Sequence, residues 1–399
     1  MCGFVGFTAA APDRDLLARM TARLAHRGPD GEGLHVEAGV ALGHRRLAVI
    51  DLVASRQPMT AGPVTLAFNG EIYNFAELRA ELLAAGLTFR TQGDTEVILN
   101  GYRHWGLEVI PRLRGIFAFA LFDGDRKRLV LARDHVGTKP LYLADLPGGD
   151  LAFASEPKAL LEHPAVDRSV DLDALGRFCE RQFLPGIPSV WKGIRRLPPG
   201  HALVIEDGRN DLRCFWKPGF EPKRPLADPE RAVADLLDEA VREQLVADVP
   251  VGCFLSGGVD SSLILALMTK HRGPCDAFTI AFAGEAGGDG EASVAVAQRL
   301  GARHHVHTVT PADVLAEVED LPALFDEPFA DHAALPTRIL ARAARERVTV
   351  VLSGEGADEV FAGYGSWLKR ARTLQRTAAL APLTAPLPPE EEEGERGQD

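Results

Sequence analysis

Hydrophobic positions along the chain follow two rhythms. In the first half the apolar runs are short, rich in β-branched or aromatic residues, and bounded by Gly, Asp or Asn, at 3–7, 64–68, 116–122, 128–132 and 151–154. Such runs predict strands. Between them, 74–83 and 95–102 carry helical spacing, opened by an Asn and a Thr that suit N-caps. Strands grouped with helices in this way predict a layered α+β domain. After about residue 230 the rhythm changes. Residues 231–247 place Val233, Leu236, Leu237, Ala240, Val241 and Leu245 on one broad helical face. Apolar strands at 249–255, 277–282, 304–309 and 348–352 then alternate with helical patterns at 262–270, 291–300 and 335–347. That alternation predicts a parallel sheet with helices on both faces and ligands at the carboxyl ends of its strands. The charge-rich, Pro-dotted stretch 206–230 reads as a linker between domains at 2–205 and 231–378. The Ala/Pro-rich and then acidic 379–399 reads as a disordered tail.

Composition narrows the function classes. The 399 residues are 46% hydrophobic and 25% charged, an ordinary globular mixture with room for two domains. A formal net charge of −12 argues against nucleic-acid and anionic-membrane partners. No apolar run reaches the roughly 18 residues that a membrane helix needs. The N-terminus also lacks the basic and apolar regions of a secretory signal. Five cysteines, at 2, 179, 214, 253 and 275, are odd in number and never spaced C-x-x-C. This predicts a reducing cytoplasm and excludes a zinc ribbon or a disulfide framework.

Cys2 directly follows Met1, and initiator Met is normally trimmed before a small side chain. Cys2 would then carry a thiol and a free α-amine, whose pKa near 7.7–8.0 leaves it partly neutral and able to act as base for its own thiol. A second reading, a small buried hydrophobe, is open to the same residue. The segments that follow are His26-Arg27-Gly28-Pro29-Asp30, Arg46-Leu47-Ala48-Val49-Ile50-Asp51, Asn69-Gly70-Glu71-Ile72-Tyr73-Asn74 and Gly93-Asp94-Thr95-Glu96. In this order they resemble the glutamine amidotransferase domain of the asparagine synthetase family. The resemblance implies an N-terminal-nucleophile αββα sandwich in which Cys2 attacks the side-chain amide of glutamine and releases ammonia. Attack on an amide makes an oxyanion that needs fixed donors; Asn69 and the Gly70 backbone N–H match the family's oxyanion hole. Arg46 can fork onto the glutamine α-carboxylate, with Leu47, Ala48, Val49 and Ile50 lining the site. Asp94 and the neighbourhood of Glu71 can hold the α-ammonium. Asn69-Gly70 could equally be a hairpin turn and Asp94 a helix cap. Three further stretches match the family and read as structural. One is 133–142, with Arg133 and Asp134 expected as a buried pair; the others are 154–160 and 196–201.

Phe254-Leu255-Ser256-Gly257-Gly258-Val259-Asp260-Ser261-Ser262 lies between an apolar strand and a helix. Glycines let backbone N–H groups form an anion nest at a helix N-terminus, and Ser256, Ser261 and Ser262 add hydroxyl donors. Asp260 would repel bare phosphate and makes sense as a Mg2+ ligand. The loop resembles the family's pyrophosphate loop in an adenine-nucleotide α-hydrolase-like α/β domain, which implies cleavage of ATP to AMP and pyrophosphate. Ser353-Gly354-Glu355-Gly356-Ala357-Asp358-Glu359 resembles a second motif of that domain. There Ser353 and Gly354 match nucleotide contacts, Glu355 the position needed to form the acyl-adenylate, and Asp358 a second Mg2+ ligand. Leu255 and Ile280 match positions that hold adenine, although a core role suits them as well. Residues 326–331 resemble another family segment, followed by His332, read as a surface residue in preference to a substrate contact.

Together these imply a glutamine-dependent asparagine synthetase using ATP, Mg2+ and aspartate, with ammonia crossing an apolar interdomain passage. The match runs from Cys2 to about residue 367, whereas family members continue further, so a shortened synthetase half is expected. An amidotransferase with another carboxylate acceptor, or a glutaminase with an inactive second half, stays open, as does a homodimer.

Overall fold

Continuous burial along the central first-half strands follows from packing on both faces. The strands are β1 (Gly3–Ala9), β2 (Gly31–Glu37), β3 (Gly39–Arg46), β4 (Met59–Ala61), β5 (Val64–Ile72), β6 (Gly115–Asp123), β7 (Arg128–Arg133), β8 (Tyr142–Asp145), β9 (Leu151–Ala154), β10 (Arg195–Arg196), β11 (His201–Glu206) and β12 (Arg209–Cys214). They form two six-stranded sheets, ordered β10-β8-β9-β1-β3-β2 and β12-β11-β7-β6-β5-β4, with antiparallel neighbours. Phe4, Leu42 and Phe153 from one sheet meet Ala67, Ala118 and Leu131 from the other in a dry layer. Outside the first sheet, α1 (Arg14–Ala22) buries Leu17 and Met20 against Val5 and Phe7. Outside the second, α2 (Phe75–Ala84) and α3 (Thr95–Trp105) bury Leu78 and Ile98 against Leu66 and Phe68. Helix, sheet, sheet, helix is the expected αββα sandwich. The computed structural model describes residues 1–220, 225–284, 289–365, 369–370 and 372–373, in a unit over Met1–Leu352 and a second beginning at Ser353.

Within the first unit the chain continues through the short α4 (Pro157–Leu160), α5 (Leu172–Arg181) and α6 (Pro229–Gln244), the last capped by Asp228, which accepts from the Arg231 N–H at 2.9 Å. Then β13 (Val251–Phe254), α7 (Val259–Arg272), β14 (Asp276–Phe282), α8 (Asp289–Leu300), β15 (Arg303–Val309), α9 (Pro311–Val318), α10 (Leu321–Leu324), α11 (Ala334–Arg345) and β16 (Val350–Leu352) follow. The sheet β15-β14-β13-β16 is parallel, as the alternation predicts. Leu255, Leu265, Met268 and Ala277 make its core on one side, Phe278, Leu340 and Val348 on the other.

Three expectations are corrected. Residues 209–214, assigned to the linker, form β12 and pair in full register with β11, because 207–208 make a tight turn with positive φ at Asp207 and Gly208. Arg133 and Asp134 do not pair with each other. Arg133 donates to the carbonyls of Lys139, Leu197 and Gly137, while Asp134 accepts the N–H groups of Phe117, Thr138 and Lys139. Each charge thus satisfies backbone groups that the 134–139 loop would otherwise bury unpaired. Asn74 precedes α2 without capping it; its amide instead bridges Arg112 O and Arg114 N–H. The tail assigned to 379–399 and the linker residues 221–224 lie outside the described residues.

Candidate functional site

Side chains alternate across a strand, so Cys2, just ahead of β1, shares a face with Phe4. Phe4 lies in the dry layer between the sheets, and so does Ala67 of β5. Asn69, two residues on from Ala67, therefore projects into the same layer. It is 1% exposed, and among the described residues neither its Oδ1 nor its Nδ2 has a hydrogen-bond partner. A buried amide without partners costs stability, so this one is held ready for something that enters.

The Gly70 N–H belongs to the same site by strand logic. Phe68 N–H donates to Gln57 Oε1 at 2.7 Å, and Ile72 N–H to Asp94 Oδ2 at 3.0 Å; both point away from β6. In an antiparallel strand alternate amides share an edge. The Gly70 N–H therefore points the same way, between two amides that already have protein acceptors. Glycine is required here for a reason the sequence did not show. A Cβ on Gly70 would strike the Ile116 carbonyl oxygen and Phe117 Cα of the neighbouring strand. The hairpin reading of Asn69-Gly70 does not hold, because both lie inside β5; Asp94 does stand at the N-cap position of α3, but its side chain makes no cap hydrogen bond there.

The 47–51 loop follows β3. Leu47 N–H donates to Cys2 Sγ at 3.3 Å, and the thiol donates to Leu47 O at 3.5 Å. Burial pushes the Cys2 thiol up, against the pull of the Leu47 amide. Arg46 donates to the carbonyls of Ile50, Asp51 and Leu52, so its guanidinium shapes the loop. Asp51 adopts a left-handed φ of 49°, and its carboxylate accepts from Gln92 and Ala54 N–H groups. Glu71 and Asp94 form a buried acidic pair. Burial lifts Asp94 to about 6, and burial together with Asp94 lifts Glu71 well above its usual range. Lys139, the N-terminal amine and Arg46 oppose part of that rise at Glu71, and neither carboxylate has an ion pair among the described residues.

Met1 stands in the wall of a cavity of about 500 Å3, lined also by His26, Arg27, Leu47, Arg342 and Arg345. These charges mean that it is not the apolar passage expected for ammonia. Burial lowers the Met1 α-amine to about 6. Lys139 donates to Met1 Sδ at 3.1 Å.

At the end of β13 the glycine-rich turn precedes α7, and its serines bond within the turn. Gly257 has φ 83°, and a Cβ there would lie 2.7 Å from Ser293 N. Ser261 Oγ accepts from Ser256 N–H at 3.2 Å and faces Ser256 Oγ at 3.0 Å, while Gly258 N–H reaches Ser256 Oγ at 3.3 Å. Ser262 Oγ is buried without a partner among the described residues. Asp260 is exposed in the first turn of α7 and makes no ion pair among the described residues. Leu255 is 2% exposed in the core; its N–H donates to Phe278 O and its carbonyl accepts from Thr279 Oγ, so its backbone is already engaged. Ile280 packs half-buried against Phe278 and Leu340. His332 is exposed at the rim of a cavity of about 240 Å3 that Phe325 and Phe329 also line. In the second unit, Ser353 Oγ accepts from Glu355 N–H at 3.4 Å, Glu355 is exposed, and Asp358 lies in α12 (Ala357–Phe361).

Residues 1–216 match the family model for a glutamine amidotransferase domain, and residues 232–397 that for asparagine synthase. A putative glutamine-hydrolysing asparagine synthetase from Methanocaldococcus jannaschii is 30% identical over 402 residues, 93% of this chain and 77% of that protein. The chain belongs to the asparagine synthetase family. A putative glutamine-hydrolysing asparagine synthetase from Mycobacterium tuberculosis H37Rv is 40% identical over 394 residues, 91% of this chain and 60% of its own length. Asparagine synthetase 1 of Bacillus subtilis 168 is 36% identical over 374 residues, with 91% and 59% covered. The chain thus spans about 60% of those two relatives. The asparagine synthase match extends to residue 397, about 30 residues past the point where motif-by-motif likeness fades.

Within this asparagine synthetase fold, sequence reasoning left several residues without a role. His44 is fully buried, shares a hydrogen bond with Phe68 O at 2.9 Å and is pushed down to about 4 by burial. Gln57 occupies the Phe68 amide. Arg27 donates to Cys2 O at 2.8 Å. The first two carry no sequence signal; Arg27 lies within the 26–30 motif.

Proposed function

We propose that the chain is a cytoplasmic glutamine-dependent asparagine synthetase, with domains close to 2–205 and 231–378. What supports this most directly is the buried, unpartnered Asn69 amide in the layer that also receives Cys2. Loss of Met1 transfers the α-amine to Cys2. That amine takes the thiol proton as Sγ attacks the glutamine carboxamide carbon. Asn69 Nδ2–H and Gly70 N–H hold the oxyanion; collapse of the tetrahedral species breaks the C–N bond, and the amine returns its proton to the departing ammonia. Water then clears the thioester as glutamate. Arg46 and the 47–50 loop hold the α-carboxylate of glutamine, and Glu71 with Asp94 hold its α-ammonium.

Ser256, Gly257, Gly258 and Ser261 cradle the ATP phosphates as the aspartate β-carboxylate displaces pyrophosphate from the α-phosphorus. Ser353, Gly354 and Glu355 serve the same step, with the half-buried Ile280 beside adenine; Leu255, in the core with its backbone groups engaged, keeps its core role. Ammonia then displaces AMP from the acyl-adenylate. Asp260, exposed and unpaired, and Asp358 suit Mg2+, which when bound neutralises phosphate charge. The test is a pair of assays on the unmodified chain and two variants. Glutamine hydrolysis should disappear with Cys2→Ala. Aspartate-dependent ATP–pyrophosphate exchange should disappear with Asp260→Ala while hydrolysis persists. Hydrolysis that survives Cys2→Ala sinks the first assignment, and exchange that ignores aspartate sinks the acceptor.

A further inference from the structure

Residues 326–329 belong to the synthetase half by sequence, yet both acidic side chains are buried against the amidotransferase half. Glu327 accepts from Val190 N–H and Tyr142 OH and pairs with Arg196. Those contacts end at that surface. Asp326 leads further. Its Oδ2 accepts Lys158 N–H at 2.7 Å, its Oδ1 lies 3.3 Å from Lys158 Nζ, and Trp191 Nε1 donates to its carbonyl at 2.9 Å. Lys158 Nζ donates to Ala323 O at 2.8 Å and pairs with Glu156 at 3.2 Å. Glu156 pairs with His26 at 2.9 Å and with Arg27 at 2.6 Å, and Arg27 donates to the Cys2 carbonyl at 2.8 Å.

Four alternating charges therefore run from the synthetase half to the nucleophile's own backbone. Their side chains are 8%, 10%, 15% and 8% exposed in the order Asp326, Lys158, Glu156, Arg27. Burial lifts Glu156, but His26 and Arg27 outweigh it and hold the carboxyl at about 2, so it stays charged. Removing one member of such a series leaves its neighbours unpaired in a low-dielectric place. The same turn also fixes β1 directly: Ser155 Oγ accepts Phe4 N–H at 3.0 Å, and Ser155 N–H donates to Phe4 O at 2.9 Å.

We propose that Lys158 is a positioning residue for glutamine hydrolysis: through Glu156 and Arg27 it transmits the seating of Asp326 to the Cys2 carbonyl, so the amidotransferase centre runs at full rate only with the synthetase half docked. This rests on the glutaminase reading above. Glutamine hydrolysis is measured on the full chain and on Lys158→Met, Asp326→Asn, the double variant, Lys158→Arg and Arg196→Met, with thermal melts for each. Lys158→Met and Asp326→Asn should each lower kcat about tenfold with KM changed less than about twofold. The double variant should be no worse than the poorer single, and Lys158→Arg should restore most of the rate. Arg196→Met, which breaks the neighbouring contact that does not reach Cys2, should lower the melting temperature and leave kcat within about twofold. The isosteric Asp326→Asn carries the test if Lys158→Met does not fold. Unchanged kcat in folded Asp326→Asn overturns the proposal, as does an Arg196→Met loss equal to that of Lys158→Met. An unmodified chain that hydrolyses no glutamine removes the glutaminase reading as well.

Discussion

The proposed glutamine-hydrolysing centre and the proposed nucleotide loop are built by opposite means. At the first, chemistry is enclosed: Asn69 and Asp94 are 1% and 5% exposed, and strain appears as unpaired hydrogen bonds and displaced ionisation. At the second, Ser256, Gly258 and Asp260 stand in solvent, and the design lies in backbone conformation at Gly257. An enclosed site must be folded before it works, and its cost is borne by the surrounding core. An exposed anion nest needs only a short strand, a turn and the start of a helix. Stability should therefore be concentrated around the sandwich, and activity at the two centres should respond to different kinds of change.

The largest effect should come from the sandwich core. Phe153 is fully buried between the sheets, 6.5 Å from the Phe4 ring. Phe153→Ala should cost about 3–5 kcal/mol, through lost transfer energy and a cavity that rigid sheets cannot close. Urea denaturation measures it; a loss under about 1 kcal/mol would mean that the layer repacks freely.

Asn69→Ala should separate function from stability. Loss of one oxyanion donor lowers kcat about 10²–10³-fold. Because the amide has no protein partner, its removal should leave the melting temperature equal or higher. A variant both slow and markedly less stable would show that Asn69 bonds to the protein after all.

Asp94 tests the enclosed site by pH. Its carboxyl goes from 3.8 in the unfolded chain to about 6 in the fold, raised by burial. Below 3.8 both states are protonated and nothing is lost. As pH rises through that window the unfolded chain ionises first, so stability falls until the pH is above about 6. Asp94→Asn removes the titration and keeps an acceptor for the Ile72 N–H. Its advantage over the parent should be larger at about pH 8 than at about pH 5. An equal advantage at both would place the origin elsewhere, and glutamine affinity should fall in either case.

How far the sequence carried these conclusions differs between the regions in the same way. The parallel sheet was legible strand by strand, because buried parallel strands are continuous apolar runs. In the sandwich, β2 and β3 escaped notice: Gly31–Glu37 is a half-buried edge with polar residues throughout, and Gly39–Arg46 ends in a charged run. Cys2, Asn69 and Gly70 were legible as motifs, but the reason for Gly70 was not, since it lies at Ile116 and Phe117 of β6, which only the register brings alongside. Lys158 and Asp326 were quoted in separate motifs, and no spacing rule joins residues 168 positions apart.

The smallest effect is expected on the outer face of α9. Leu315 is 71% exposed there. An exposed apolar side chain gains little by folding, so Leu315→Ser should change stability by less than about 0.5 kcal/mol. The helix keeps its own anchor, because Thr310 and Asp313 form a reciprocal capping box at its start. Chemical denaturation of the full chain provides the measurement, alongside Phe153→Ala as the contrasting core change. A loss of about 2 kcal/mol or more would mean that Leu315 is buried in solution. The synthetase half would then be as enclosed as the sandwich, and the contrast between the two regions would not stand.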